Sequence, residues 1–186
     1  MMRIITGKAR GIRLKTLEGE ATRPTAERVK EAVFSMIQFE LEGRDILDLF
    51  SGSGQMGLEA LSRGAKLAVL VDKSAAAVKV IEENAVKTKL ADDCRIRHCD
   101  CMDFIRRNRG QRFDIVFLDP PYASGLYRPA LRALLDAEML KCTSMIICES
   151  DTEGIFGNDM ALADAFEVKK LSKYSKTVIT ILVPKQ

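Results

Sequence analysis

The run Asp48-Leu49-Phe50-Ser51-Gly52-Ser53-Gly54-Gln55-Met56-Gly57 is entered from an apolar segment, Ile46 to Phe50. It leaves into a helical pattern in which Leu58, Leu61 and Ala65 share a face. That order reads as strand, glycine-rich turn and helix. Such a turn lets a ligand come close to the backbone and aims helix N-terminal N–H groups at it. Gly52, Gly54 and Gly57 also satisfy G-x-G-x-x-G, and Asp72 ends the next apolar run near the spacing of about 20 residues expected of a ribose-binding acid. Three readings stay open on this pattern: a dinucleotide site, an S-adenosylmethionine site, or a turn that needs glycine for sterics alone. Asp48 bears on the choice. A carboxylate at the strand end repels a pyrophosphate and attracts a ligand carrying an ammonium and a sulfonium.

Outward from this run the chain alternates. Strands are expected at 45–50, 67–71, 95–98, 113–118 and 144–148, and helices at 57–63, 74–87, 102–109 and 129–135. The pattern predicts an α/β fold, a Rossmann-like doubly wound sheet of seven mostly parallel strands with helices on both faces. The tail, 165–171 and 177–183 around a polar turn at 172–176, predicts an antiparallel hairpin at one edge. Ahead of the sheet, 2–6 and 12–17 flank Gly7 to Gly11 as a short β-hairpin. A helix capped by Thr25 then runs to about Gly43, with Val29, Ala32, Val33, Met36 and Ile37 on one face. The expected division is a basic N-terminal extension, 1–22, and a main domain, 23–186.

In such sheets ligands bind beyond the carboxyl ends of the strands. Acids stand at four successive strand ends: Asp48 with its glycine turn, Asp72 beside Lys73, Asp100 between Cys99 and Cys101, and Asp119. Asp100 alone reads equally well as a helix cap. Asp119-Pro120-Pro121-Tyr122 carries more chemistry. Two prolines make a stiff exit without backbone donors. The Pro120 carbonyl and the Asp119 carboxylate are two acceptors, and Tyr122 offers a flat ring for stacking. An aromatic amine is a poor nucleophile because its lone pair is delocalised into the ring. Two acceptors on its hydrogens bias the nitrogen toward tetrahedral geometry and free that pair for a sulfonium methyl held in line. Positioning and electrostatics do most of the work, Asp119 or water takes the proton, and a stacked base must be extruded to reach the site.

Composition narrows the class. The 186 residues suit one domain with a real core, and no apolar stretch has the length of a membrane span. No signal-peptide pattern opens the chain, so a cytoplasmic protein is expected. Five cysteines without a C-x-x-C pair, and a single histidine, His98, argue against a disulfide framework and against a metal. Net charge is only +3, yet residues 1–30 hold eight basic and three acidic side chains, while the rest has two more acids than bases. A positive excess concentrated in a short arm suits an anionic polymer such as RNA.

At this point the chain resembles the class I S-adenosylmethionine-dependent methyltransferases that act on amino nitrogens, on Asp48 to Gly54, Asp72 and Asp119-Pro120-Pro121-Tyr122. More narrowly it resembles the bacterial RsmD-like 16S rRNA guanine-N2 methyltransferases. That likeness rests on Arg3-Ile4-Ile5-Thr6-Gly7, Arg23-Pro24-Thr25, Arg28 to Phe34, Phe113 to Tyr122 and Lys173-Tyr174 with Thr177. It implies methylation of one guanine of small-subunit rRNA on N2, in a particle rather than in naked RNA. Asp48, Phe50, Gly52 and Gly54 would line the methionine end, Asp72 and Lys73 the ribose, and Asp100 and Cys101 the adenine. Thr25 would lie near the reacting groups. Arg3, Lys8, Arg10, Arg13, Arg23 and Arg28 would grip RNA, and the enzyme is expected to be a monomer. Ser175 stands where the family has glycine, and Gln55-Met56 where smaller residues are usual. Competing readings are a DNA adenine-N6 methyltransferase, a protein-glutamine methyltransferase, a nicotinamide-dependent oxidoreductase and a non-catalytic RNA-binding protein.

Overall fold

Successive residues of each central strand divide between two cores, because side chains alternate across a pleated strand. Ile46, Leu70, Ile115, Phe117 and Ile147 enter one core; Leu47, Val69, Val71, Val116, Leu118 and Ile146 enter the other. A sheet buried on both faces must be covered by helices on both. The structure, a computed structural model, describes residues 2–17, 24–121 and 124–185, and of 24–26 the backbone alone. Its elements in order are α1 (Pro24–Met36), β1 (Asp45–Asp48), α2 (Gln55–Ser62), β2 (Leu67–Asp72), α3 (Ala75–Thr88), β3 (Cys94–His98), α4 (Cys101–Arg107), β4 (Phe113–Leu118), α5 (Tyr127–Asp136), β5 (Leu140–Ser150), α6 (Met160–Asp164), β6 (Phe166–Tyr174) and β7 (Thr177–Pro184). Side chains of α1, α2 and α3 fill the first core, and those of α4, α5 and α6 the second.

The seven strands form one sheet in the order β3-β2-β1-β4-β5-β7-β6. The first five are parallel, and β7 runs antiparallel to both β5 and β6. The sheet is therefore Rossmann-like and mostly parallel, as expected. The antiparallel strand is second from the edge, because the tail passes β5 and returns between it and β6. From β1 the chain winds first toward β3 and then, through β4, toward β6. The switch point lies between β1 and β4, where a crevice opens at the carboxyl ends.

Element boundaries differ from expectation for local reasons. The helix expected to reach Gly43 stops at Met36, and a tight turn (Glu40 N–H to Ile37 C=O, 2.9 Å) drops Leu41 into the core. It begins at Pro24, in the first helical position where a missing N–H costs nothing, so Thr25 is inside the first turn rather than its cap. α2 starts two residues early, straight after Gly54, whose φ of 78° only glycine adopts readily. α5 starts at Tyr127 and takes Pro129 into its first turn. β5 is longer at both ends, paired through Leu140 and Ser150. The short α6 was not foreseen; Asp159 caps it by accepting from Leu162 N–H. The tail turn narrows to Ser175-Lys176, with Ser175 at φ 58°, which accounts for glycine in the resembled family.

The N-terminal hairpin is reduced to one bridge, Arg3 with Arg13, plus three bonds around it. The ladder stops because its N–H groups go elsewhere. Ile5 and Thr6 donate to the buried Glu59 carboxylate of α2, at 2.7 and 3.0 Å. Ala9 N–H donates to Ser62 Oγ, and Lys8 N–H to the Ser62 carbonyl. Ile4, Ala9 and Leu14 are buried in the first core. Lys30, counted with the basic arm, is itself buried, with Nζ 2.6 Å from the Arg3 carbonyl and 3.6 Å from Glu59. Desolvation lowers its pKa, and Glu59 opposes that.

Candidate active site

A cleft of about 470 Å³ opens at the switch point, between the β1 turn and the exit from β4. Phe50 and Gly52 border it from β1, Asp72 and Lys73 from β2, Asp100 and Cys101 from β3, and Asp119, Pro120 and Pro121 from β4. A smaller chamber of about 80 Å³ adjoins it, bordered by Asp48, Gln55, Met56 and Glu149. Phe50, Gly52 and Asp119 line both spaces, so the two are one continuous site.

The glycine turn is shaped by close approach. Gly54 N–H donates to the Ser51 carbonyl at 2.6 Å, and a Cβ on Gly54 would meet Ile81 at 3.1 Å. A Cβ on Gly57 would lie 2.1 Å from Leu70, so this glycine allows α2 to settle on β2. Asp72 fastens the turn from the next strand: one carboxylate oxygen accepts from Gly52 N–H at 2.9 Å, the other from Ser74 N–H at 2.8 Å. Asp100 caps α4 by accepting from Met102 N–H at 2.8 Å and also borders the cleft, so the capping residue stands at the cleft wall.

Asp48 is 3% exposed, and its Oδ2 has no hydrogen-bond partner among the described residues. Burial pushes its carboxyl up to about 7. The backbone N–H groups of Phe50 and Gly57 pull the other way, and the Asp72 charge adds to the rise. An unpartnered buried carboxylate oxygen facing a small chamber is a receptor for a cation. Glu149, at the end of β5, is likewise pushed up by burial. Burial holds the Cys101 thiol at about 11, so a neutral thiol borders the cleft, and all five cysteines are unpaired.

Tyr122 and Arg23 lie outside the described residues, as does the Thr25 side chain. Among the lining residues missed from sequence are Glu149, Leu17 and Leu126. Glu149 carried a signal, being a fifth acid at a strand end. Leu17 and Leu126, which also border the cleft, carried none. Among the arginines and lysines expected from sequence to grip RNA, Arg3 pairs with Glu27 at 2.8 Å and Lys8 with Asp93 at 3.3 Å. Arg10, Arg13 and Arg28 are exposed, with no ion-pair partner among the described residues. No described helix is long and apolar enough to cross a membrane.

A solved structure from Escherichia coli, named "Putative methyltransferase yhhF", is similar with a TM-score of 0.85 and 29% identity over 99% of this chain and 98% of that one. One from Haemophilus influenzae, named as a methylase, is similar at a TM-score of 0.82 with 25% identity, covering 100% of this chain and 99% of that one. With the strand order and the cleft, these likenesses define a Rossmann-like methyltransferase, whose methyl donor is S-adenosylmethionine. The chain belongs to the family described as Conserved hypothetical protein 95, which matches residues 2–183. An Escherichia coli K12 relative named "Ribosomal RNA small subunit methyltransferase D" is 35% identical over 82% of this chain and 76% of its own length.

Proposed function

We propose that the protein transfers a methyl group from S-adenosylmethionine to the exocyclic N2 of a guanine in small-subunit (16S) rRNA. The observation that carries the reading is the donorless Asp48 oxygen in a chamber that also touches Asp119. It puts a cation receptor and an amine receptor at one opening. Small-subunit rRNA as the substrate is supported by the relatives named as ribosomal RNA small subunit methyltransferases. The enzyme would act in the cytoplasm as a monomer.

The residues present fit the donor. It supplies an electrophilic methyl on a positively charged sulfur. Asp48 would pair with the ammonium of its methionine end, beside Phe50, Gly52 and Gly54. Asp72 already accepts one N–H at each oxygen and retains a lone pair on each for ribose hydroxyls. Lys73 would stand beside the ribose, and Asp100 and Cys101 would border the adenine. Asp119 and the Pro120 carbonyl would accept the two amine hydrogens of the base, with Pro121 stiffening the exit and Tyr122 stacking on the ring. Asp119 is exposed, so the proton released on methylation has a path to water. Thr25 would lie near the reacting groups.

Asp72→Ala should weaken S-adenosylhomocysteine binding by about tenfold or more, since hydrogen bonds to a charged group are worth about 1.5–3 kcal/mol. Unchanged affinity in calorimetry would count against the ribose assignment.

On the RNA side, Arg10, Arg13 and Arg28 are available to phosphates. Arg3 and Lys8 can leave exposed ion pairs, which are weak, and Arg23 would extend the same surface. Replacing Arg10 and Arg13 together with alanine should weaken RNA binding and reduce the salt slope by about 0.9 per lost phosphate contact. An unaltered slope removes the arm from the interface.

The acceptor is tested with a radiolabelled methyl donor offered to unmodified small subunits, free rRNA and duplex DNA. Label in the subunit is the expected result. Label confined to DNA would replace the substrate and keep the chemistry.

A further inference from the structure

Asn84 lies on α3, is fully buried, and uses its whole amide on two segments that are far apart in sequence. Its Oδ1 accepts from Lys15 N–H at 2.8 Å. Its Nδ2 donates to the Lys15 carbonyl and to the Ser53 carbonyl, each at 2.9 Å. Lys15 is on the outgoing strand of the basic arm. Ser53 stands between Gly52 and Gly54 in the glycine turn. One side chain therefore joins the arm to the turn that meets the cofactor.

Three further observations run the same way. Ser53 Oγ donates to Met2 Sδ at 3.1 Å, and Leu14 N–H donates to the Met2 carbonyl at 3.0 Å, so both strands of the arm reach Ser53. Leu17, two residues past Lys15, forms part of the cleft wall. Glu59 and Ser62 hold residues 5–9 and, among the described residues, their side chains form no hydrogen bond with the glycine turn. A helix side chain that needed only to fill space here would be apolar. An amide with every donor and acceptor engaged fixes two backbones relative to each other.

We propose that Asn84 is a positioning residue that couples the basic arm to the cofactor turn, so that seating the arm and holding the methyl donor favour one another. Coupling between two sites is reciprocal. RNA that draws the arm into place tightens the donor site, and a bound donor holds the arm ready for RNA. Leu17 closes the cleft wall only while Lys15 is pinned.

The proposal rests on the cofactor reading of the cleft, and the test separates the two. S-adenosylhomocysteine is the probe, with calorimetry and amide hydrogen exchange as readouts. In the wild-type protein it should bind and slow exchange of the Lys15 amide. Asn84→Ala should bind it roughly five-fold more weakly, the loss of about one net hydrogen bond, and lose the ligand-dependent protection at Lys15. Lys15→Pro deletes the donated amide without altering a residue of α3, removes besides it only the exposed Lys15–Glu83 ion pair, which is worth little, and should weaken binding in the same direction; it decides the matter if Asn84→Ala does not fold. Ser62→Ala cuts the other anchor and should lower the melting temperature while leaving probe affinity unchanged. Wild-type affinity and protection in both coupling variants would overturn the proposal alone. Weaker binding in Asn84→Ala but not in Lys15→Pro would confine Asn84 to the turn and also overturn it. No probe binding to the wild type would overturn the cofactor reading as well.

Discussion

Asp119→Ala should reduce methyl transfer by about three orders of magnitude, in the range lost when a positioned acid–base or charge-stabilising group is removed. S-adenosylhomocysteine affinity should stay within a few-fold of wild type. The split follows from placement. Asp119 stands where β4 ends, on the wall shared by the cleft and its inner chamber, while the groups proposed to hold the donor, Asp48, Phe50, Gly52, Asp72, Lys73, Asp100 and Cys101, stand on other strand ends and turns. Its proposed task is to accept from the base amine and to stabilise charge that develops only as the nitrogen attacks. Such an interaction lowers kcat when removed and leaves ground-state donor binding alone. Equal loss of transfer and of donor affinity would show that Asp119 belongs to the donor site instead.

Asp48→Asn should have opposite effects on stability and on binding. Burial pushes the carboxyl up to about 7 in the folded protein, from an ordinary value of 3.8. Between those values the native state holds a proton that the unfolded state has lost, so stability falls as pH rises from about 4 to about 7 and then levels off. The raised pKa corresponds to about 4 kcal/mol at full displacement. The amide variant escapes that penalty, so without ligand it should be the more stable protein at pH 8 and equal to wild type at pH 4. It should bind S-adenosylhomocysteine about a hundredfold more weakly, because the ligand ammonium loses its counter-charge in a buried chamber. In the wild type, an arriving cation favours ionised Asp48, so affinity should rise with pH up to about 7 and binding there should release a proton. Parallel stability–pH curves for the two proteins, or no proton release in buffers of different ionisation enthalpy, would contradict the assignment.

Much of this architecture was legible because the sheet is buried on both faces. Central strands read as continuous apolar runs, and the helices between them as single stripes, so element order and class follow from the sequence. The acids at strand ends were legible for the same reason: a carboxylate closing an apolar run stands where a parallel sheet ends. Boundaries set by tertiary contacts were not. α1 stops where Leu41 must enter the core, and the arm ladder stops where Glu59 takes the N–H groups of Ile5 and Thr6. Neither event leaves a local signature. Asn84 and Leu17 were invisible for a related reason. Each acts on a segment far away in the chain, and an Asn in a helix or a Leu in an arm is unremarkable until the partner is seen. The arm's charge was legible, but its burial was not, and Lys30 proved to be part of the interior.

The most direct test of the account is the identity of the methylated nucleoside. Unmodified small ribosomal subunits would be incubated with the enzyme and S-adenosylmethionine, digested to nucleosides and resolved by mass spectrometry. N2-methylguanosine at one position, absent with Asp119→Ala, is the predicted result. A methyl group on adenine N6, on a ring carbon or on a ribose hydroxyl would contradict it, because none of those is the guanine amine that Asp119 and Pro120 are proposed to hold.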